Sequence, residues 1–198
     1  MADIFLDNFE KTLRDGLVKV CRSSDLLPDE LLESIDLENK WNDDFIEAYV
    51  ADAVGNFNDY PEAALAWAGF LGMAAANDWD ADWEKNSSKE YSDYYGEKGF
   101  DDMDEHILRD VLGIPLESPE ARHISDTLNS CSMATLGLMR HEGIETQTAQ
   151  GFYALARAYS VFFSIGVGIE LHRLGYKKVP VFNSEMDVKA VKEDTIVS

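Results

Sequence analysis

The chain has 198 residues, of which 45% are hydrophobic and 11% aromatic, and a formal net charge of −21 at pH 7. This composition is typical of a folded globular protein rather than a disordered one, and the length fits one domain with a substantial core. The negative charge argues against direct binding of DNA or RNA phosphates and against an anionic membrane surface.

The charge is concentrated in the N-terminal half. Residues 1–110 contain 28 acidic and 9 basic residues, a net charge of −19, whereas residues 111–198 contribute only −2. A field of this sign attracts cations and basic protein surfaces over a screened range of about 8 Å. We therefore expect any partner to be basic and to contact the acidic half, residues 1–110.

Several features predict a reducing, cytoplasmic location. Cys21 and Cys131 are 110 positions apart and form no zinc-binding spacing, so the sequence indicates neither a disulfide framework nor a zinc site. The N-terminus lacks the basic start and apolar stretch of a secretory signal. Residues 158–169 hold only 12 uncharged residues in a row, where a membrane-spanning helix needs about 20, so we predict a core helix there.

The first third of the chain shows helical periodicity. A stripe of apolar residues predicts a first helix at about 3–21, and Pro28 followed by two acids predicts a short helix near 28–37. A wide apolar face follows between Trp41 and Phe57.

A longer helix is predicted at about 60–84. Asp59 and Glu62 match a capping box at its start, and its Ala- and Gly-rich middle predicts close approach of a neighbouring helix. Residues 77–105 then become strongly acidic, with glycines that interrupt the pattern before a helix that starts near Asp101 and ends near Gly113.

The C-terminal part has the clearest pattern. Ser118 and Pro119 predict the start of a helix over 119–142, and a second long helix follows at 146–176, so that 119–176 forms an antiparallel hairpin within the near-neutral region 111–178. Gly166 and Gly168 lie inside an apolar helix, where they predict tight packing. We find no convincing strand and expect residues 179–198 to be a weakly ordered tail. The predicted fold is a single-domain all-α bundle of six to eight helices.

Two pairs of acids could bind a metal ion. Glu30 with Glu33, and Asp44 with Glu47, have the spacing that places two carboxylates on one helix face, and two such faces could hold Mg²⁺. The string DELLE at 29–33 resembles the first half of the EExxE…ExxD pattern of the MazG-like all-α nucleotide pyrophosphatases. The second half departs from that pattern, because Asp44 and Glu47 occur in the reverse order. The resemblance implies Mg²⁺-dependent hydrolysis of a phosphorylated small molecule; the alternative is a solvated acidic helix face.

A second candidate site is aromatic. The acidic stretch contains five rings that suit a binding surface for a basic or cationic partner, namely Trp79, Trp83, Tyr91, Tyr94 and Tyr95. The alternative for Trp79 and Trp83, four residues apart, is that they extend the core stripe of their helix. Neither a GxSxG nucleophile elbow nor a Gly-rich phosphate loop is present in the sequence.

These observations lead to two hypotheses of function. The first is a non-enzymatic binding, adaptor or immunity-like protein without a cofactor, which engages a basic protein partner. The second is the Mg²⁺-dependent hydrolase, with Glu30, Glu33, Asp44 and Glu47 as metal ligands. The sequence leaves the oligomeric state open.

Overall fold

Seven α-helices make up most of the residues that the computed structural model describes, which are 2–57, 59–179 and 189–192. The predicted single-domain all-α bundle is confirmed. The helices are α1 Ala2–Ser23, α2 Ile35–Lys40, α3 Ile46–Asn56, α4 Pro61–Asn86, α5 Met103–His106, α6 Pro119–His141 and α7 Ala149–Arg173. Wider π-helical turns at Trp41–Phe45 and Ile107–Val111 extend α2 into α3 and prolong α5, and short 3-10 helices lie at Tyr91–Tyr94 and Phe100–Asp102.

Helix α4 is the centre of the bundle. Its residues from Ala64 to Ala76 are all buried, and a helix that is apolar all round belongs inside a protein. The two helices of the predicted hairpin form as α6 and α7 and run antiparallel, with Arg173 3.5 Å from Glu120. They pack mainly on α4 and α1 rather than on each other, because the buried face of each is filled by the central helix.

The contact between α4 and α7 depends on glycine. A Cβ atom at Gly166 would lie 1.8 Å from the carbonyl oxygen of Gly69, and one at Gly72 would lie 2.1 Å from that of Phe163. Since real side chains cannot approach so closely, the two backbones meet only because these positions lack one. The predictions of close helix approach in both helices are confirmed.

The predicted helix at 28–37 is wrong over its first seven residues. Residues 28–34 are not helical, and α2 begins only at Ile35. The chain here crosses over α7, with Leu31 and Leu32 against Gly168, and Leu32 is buried. This open segment buries Leu32 and partly buries Leu31, and because it is not helical, Glu30 and Glu33 do not share a helix face.

The segment from α2 through α3 has a stripe of buried residues on one face. Buried residues recur every four positions, at Leu37, Trp41, Phe45, Tyr49, Ala53 and Phe57. In a regular α-helix such a stripe drifts around the axis, because a turn takes 3.6 residues. The wider π-helical turn at Trp41–Phe45 reduces that drift and holds the stripe against α7.

Helix ends agree with the predictions in part. Ser118 caps α6, with its Oγ accepting a hydrogen bond from the Ala121 amide at 3.1 Å. The predicted capping box of α4 is wrong: Tyr60 is its N-cap residue, without a side-chain cap, because Pro61 occupies the first helical position. Near its other end α4 bends at Asp82, whose carboxylate caps the last turn through the amide of Lys85.

The C-terminal region contains two short strands that the sequence did not predict. β1, Tyr176–Val179, pairs antiparallel with β2, Lys189–Lys192. The expectation of a weakly ordered tail over 179–198 stays a prediction, and residues 180–188 and 193–198 lie outside the described part of the chain.

Helix α7 is rich in apolar residues because most of it lies inside the bundle. Among the described helices it alone is long and apolar enough to cross a membrane by length and composition, and 67% of that stretch is buried inside the bundle.

The two cysteines are also buried, and their sulfur atoms lie 3.6 Å apart between α1 and α6. Contact with Cys21 and burial both raise the pKa of Cys131.

Candidate binding site

A cleft of about 430 Å³ opens between α1, α2 and α7, and we call it the acidic cleft. Four apolar side chains form its inner wall, namely Leu37, Trp41, Phe163 and Val167. The Trp41 ring stacks on Phe163, with 4.7 Å between ring centroids. The cleft therefore has a firm aromatic and aliphatic base, supplied by the π-helical turn and by α7.

Serines of α7 add hydrogen-bonding groups to this wall. The Trp41 Nε1–H donates to Ser160 Oγ at 2.8 Å, and that hydroxyl donates in turn to the carbonyl of Ala156. Ser164 donates to the carbonyl of Ser160. These bonds fix the orientation of the Trp41 ring and satisfy the polar atoms that α7 places beneath the cleft.

Carboxylates dominate the rim. Among the described residues that line the cleft, Glu10, Glu33 and Glu38 are acids and Arg14 is a base. The Arg14 guanidinium lies 3.1 Å from Glu33 and 4.0 Å from Glu10. The side chain of Glu38 is exposed and makes no hydrogen bond or ion pair with any described residue, so the cleft carries an excess of negative charge.

A second guanidinium lies beside the cleft. Arg157 bonds to Glu10 at 2.5 Å and contacts Asp7 at 3.2 Å. The hydrogen bond to Glu10 raises the pKa of Arg157, although burial opposes the shift. The carboxylates here thus already hold planar, positively charged groups, which shows the type of group that their geometry accepts.

The acidic cleft belongs to a longer acidic surface. Residues 29–47 contain eight acids and one lysine, and the acids are exposed, for example Asp29 at 94% of its side chain and Asp44 at 51%. The lysine, Lys40, is 7% exposed and donates to Asp44 at 2.5 Å and to the carbonyl of Ser87. This stretch therefore presents almost exclusively negative charge to solvent.

The four predicted metal ligands are not brought together. Glu33 lies at the acidic cleft paired with Arg14, Glu30 pairs with Lys178 at 3.3 Å and Asp44 with Lys40, while Glu47 lines a separate depression. No group of three or more His, Cys, Asp or Glu side chains in the described residues is placed to hold a metal ion. The open segment at 28–34 removes the first predicted helix face.

The five predicted aromatic residues pack against the protein itself. Tyr91 and Tyr94 are each only 3% exposed, so a partner cannot reach them in the folded protein. Trp79, Trp83 and Tyr95 are half-buried and pack against the core, as the alternative interpretation predicted for the two tryptophans.

Polar contacts hold these rings in place. The Tyr94 hydroxyl and the Lys89 ammonium both donate to the buried carboxylate of Asp78 at 2.7 Å. Burial and the neighbouring Asp78 raise the pKa of Tyr94. The Trp79 indole donates to Asp36, and the Tyr95 hydroxyl donates to Asp52. The segment thus exposes many of its acids, while Asp78 is buried and the rings pack against the protein.

Little in the sequence indicates the acidic cleft. Its walls come from segments far apart in the chain, and only Glu33 belonged to a predicted site. One signal is present: Ser160 and Ser164, four residues apart in the uncharged run 158–169, mark a face with polar groups. Comparisons with known proteins add nothing to this geometry, since no family model, curated protein or solved structure matches the chain.

Proposed function

We propose that this protein is a non-enzymatic binding protein, of an adaptor or immunity-like kind, that engages a basic protein partner through the acidic cleft. The observation that carries the proposal is Glu38, an exposed carboxylate on the wall of a cleft whose other acids hold guanidinium groups. A lysine or arginine from a partner would complete the same arrangement at Glu38.

The shape of the cleft supports this chemistry. Long basic side chains pack their aliphatic stems on apolar surface while the charged head stays at the rim. Trp41 and Val167 line the cleft and each retain a small exposed area, about 3% of the residue, that such a stem could contact. An arginine head would form a charge-assisted bond to the carboxylate, and arginine is the more suitable residue because its fork matches a carboxylate.

The proposal requires a local site rather than a general effect of net charge. A protein with a charge of −21 attracts any cationic peptide at low salt. The informative comparison is therefore between two substitutions that remove the same charge at different places. Asp126 is suitable as the control, since it is an exposed acid on α6 without a side-chain bond to any described residue.

The experiment is a calorimetric titration with a short peptide of alternating arginine and glycine at about 0.15 M salt. We expect Glu38→Gln to weaken binding about fivefold, which corresponds to the ~1 kcal/mol of an exposed ion pair, and Asp126→Asn to change it less than twofold. Equal weakening by both substitutions, or no binding by the unmodified protein, would overturn the proposal.

The hydrolase hypothesis predicts a different result in a thermal-shift measurement. Mg²⁺ with a nucleotide should then raise the melting temperature, and Glu33→Gln should abolish the rise. If Asp126→Asn reduced the rise in melting temperature as much as Glu33→Gln does, the rise would reflect screening of the acidic surface. That result would count against a metal site.

A further inference from the structure

A second depression, of about 460 Å³, lies between α3 and the first turns of α7, and we call it the apolar groove. All but one of its lining residues are apolar; the exception is Glu47. Its members include three of the large hydrophobic side chains that the described residues expose, namely Val54 at 40%, Phe152 at 42% and Tyr153 at 58%. Exposed apolar groups gathered in one place often mark an interaction surface.

The apolar groove continues into the acidic cleft. Ala156 lines the groove and Ser160 lines the cleft, one turn later on the same face of α7. On the facing segment Ile46 lines the groove and Asn42 lines the cleft, again about one turn apart. The two depressions thus follow α7 from Tyr153 to Val167, and the fourteen helical rises between these residues extend over about 21 Å.

We propose that this combined surface binds an amphipathic, basic α-helix of a protein partner. The apolar side chains of that helix would pack against Val50, Val54 and Tyr153, and its basic side chains would reach Glu38 and Glu33 at the other end. This inference rests on the proposed function and adds to it the class of partner and the orientation in which it binds.

Charge complementarity selects this occupant. The combined surface is lined by four carboxylates, Glu10, Glu33, Glu38 and Glu47, and by a single base, Arg14, among the described residues. Glu38 and Glu47 make no side-chain hydrogen bond or ion pair with any described residue. A second copy of the chain would bring another net charge of −21, and an anionic lipid surface would be repelled in the same way.

The dimensions fit a helix. An extended apolar and acidic trough of about 21 Å matches about four turns of α-helix, whose apolar residues recur at three- and four-residue spacing. Helix-in-groove recognition uses such anchors, and the charged rim then sets direction and specificity. The apolar end and the acidic end therefore define one orientation of the bound helix.

The test uses a synthetic peptide of about 14 residues, which has leucines at helical spacing in one half and arginines in the other. A peptide of the same composition in scrambled order is the comparison. We expect the amphipathic peptide to bind at least about tenfold more tightly by fluorescence anisotropy and to gain helical circular dichroism on binding, because only it can bury its leucines in the groove.

A double substitution locates the binding. Val54→Ser with Tyr153→Ser should weaken the amphipathic peptide about tenfold and leave the scrambled peptide unchanged. Met133→Ser is the matched control, because Met133 is 53% exposed on α6, away from the groove. Thermal unfolding of each variant checks that the fold is retained, as expected for exposed positions.

The outcomes separate this inference from the proposed function. Equal binding of both peptides, still weakened by Glu38→Gln, overturns the amphipathic helix and leaves the basic partner. Amphipathic binding that is insensitive to the groove substitutions, or as sensitive to Met133→Ser, overturns the groove as its location. Binding of neither peptide overturns both proposals.

Discussion

The two sides of α7 differ sharply in how they are packed. Toward α4 its backbone meets another backbone at Gly166 and Gly69, and the contact leaves no room for even a methyl group. Toward α1 and the segment from Ile35 to Asn56 the same helix presents Ser160, Ser164 and a half-covered trough rimmed by acids. We call these the closed side and the open side of α7.

The difference teaches where this fold can accept a partner. On the closed side an added side chain would strain the fold, because the two backbones are in contact and protein interiors have almost no free space. An open side with satisfied serines and unpaired carboxylates tolerates change and can bind other molecules. Stability should therefore depend on the closed side and binding on the open side, and the following predictions test that division.

The largest expected effect is on the closed side. Gly166→Val should destabilise the protein by about 3 kcal/mol or more, because its Cβ would lie 1.8 Å from the Gly69 carbonyl oxygen and the two helices must separate. Guanidinium chloride unfolding measures the loss. Gly137→Ala on α6 is the control: no atom lies within 4 Å of its added methyl, so it should stabilise the protein by about 0.5–1 kcal/mol. A neutral Gly166→Val would mean that the helices are not in contact there.

A buried ion pair near the end of α7 gives the next largest effect. Glu170 is fully buried, and Arg173 donates to both of its carboxylate oxygens, at 2.7 and 2.9 Å. Arg173→Met leaves that carboxylate without its partner and should cost about 3 kcal/mol at pH 7. Arg122→Met, at an exposed position of α6 with no ion pair among the described residues, should cost less than about 0.5 kcal/mol.

The cost should depend on pH. Burial raises the pKa of Glu170 above its ordinary value of 4.5, although Arg173 opposes the shift. The folded state therefore favours the protonated form of Glu170. The stabilisation of the fold by this protonation is complete below pH 4.5 and is lost as the pH rises through the raised pKa. Removing Arg173 makes this loss of stability larger. Unfolding experiments should therefore show that Arg173→Met lowers the free energy of unfolding strongly at pH 7 and less toward pH 4. A penalty that is the same at both values would contradict the role of this charge.

A moderate effect is expected at the wall of the acidic cleft, on the open side of α7. Ser160→Ala removes the acceptor of the Trp41 indole N–H, and leaving that donor unpaired should cost about 1 kcal/mol. Ser164→Ala is the control, because this hydroxyl only donates to a backbone carbonyl of its own helix. Chemical denaturation with Trp fluorescence would distinguish the two, and equal costs would show that the indole bond contributes nothing specific.

The sequence predicted the elements of this division better than their arrangement. Periodicity located α1, α4, α6 and α7, and glycine inside apolar helices indicated the close contact of the closed side. Both depend on local pattern. The open side depends on residues such as Glu10, Glu38 and Ser160, which approach only through the path of the chain, and no local pattern encodes that path.

Two departures from the local sequence pattern have the same physical origin. Pro28 and its acids have the local signature of a helix start, but burial of Leu32 against α7 outweighs a weak propensity. Tyr91 and Tyr94 lie in an acidic stretch typical of a surface, but Asp78 accepts a hydrogen bond from Tyr94 inside the protein. In both places tertiary packing decides what the local composition leaves ambiguous.

The smallest expected effect on stability is on the open side, and it completes the comparison. Phe152→Ser should change the free energy of unfolding by less than about 0.5 kcal/mol, because the ring is already 42% exposed and its main ring contact is with its neighbour Tyr153. The buried Phe162 on the same helix is the matched control, and Phe162→Ser should cost about 3–5 kcal/mol. If Phe152→Ser proved as costly as Phe162→Ser, the apolar groove would be part of the core, and its exposed rings would have no separate purpose. A stable Phe152→Ser protein would instead show that folding does not require an aromatic ring at this position, which is what a surface kept for a partner predicts.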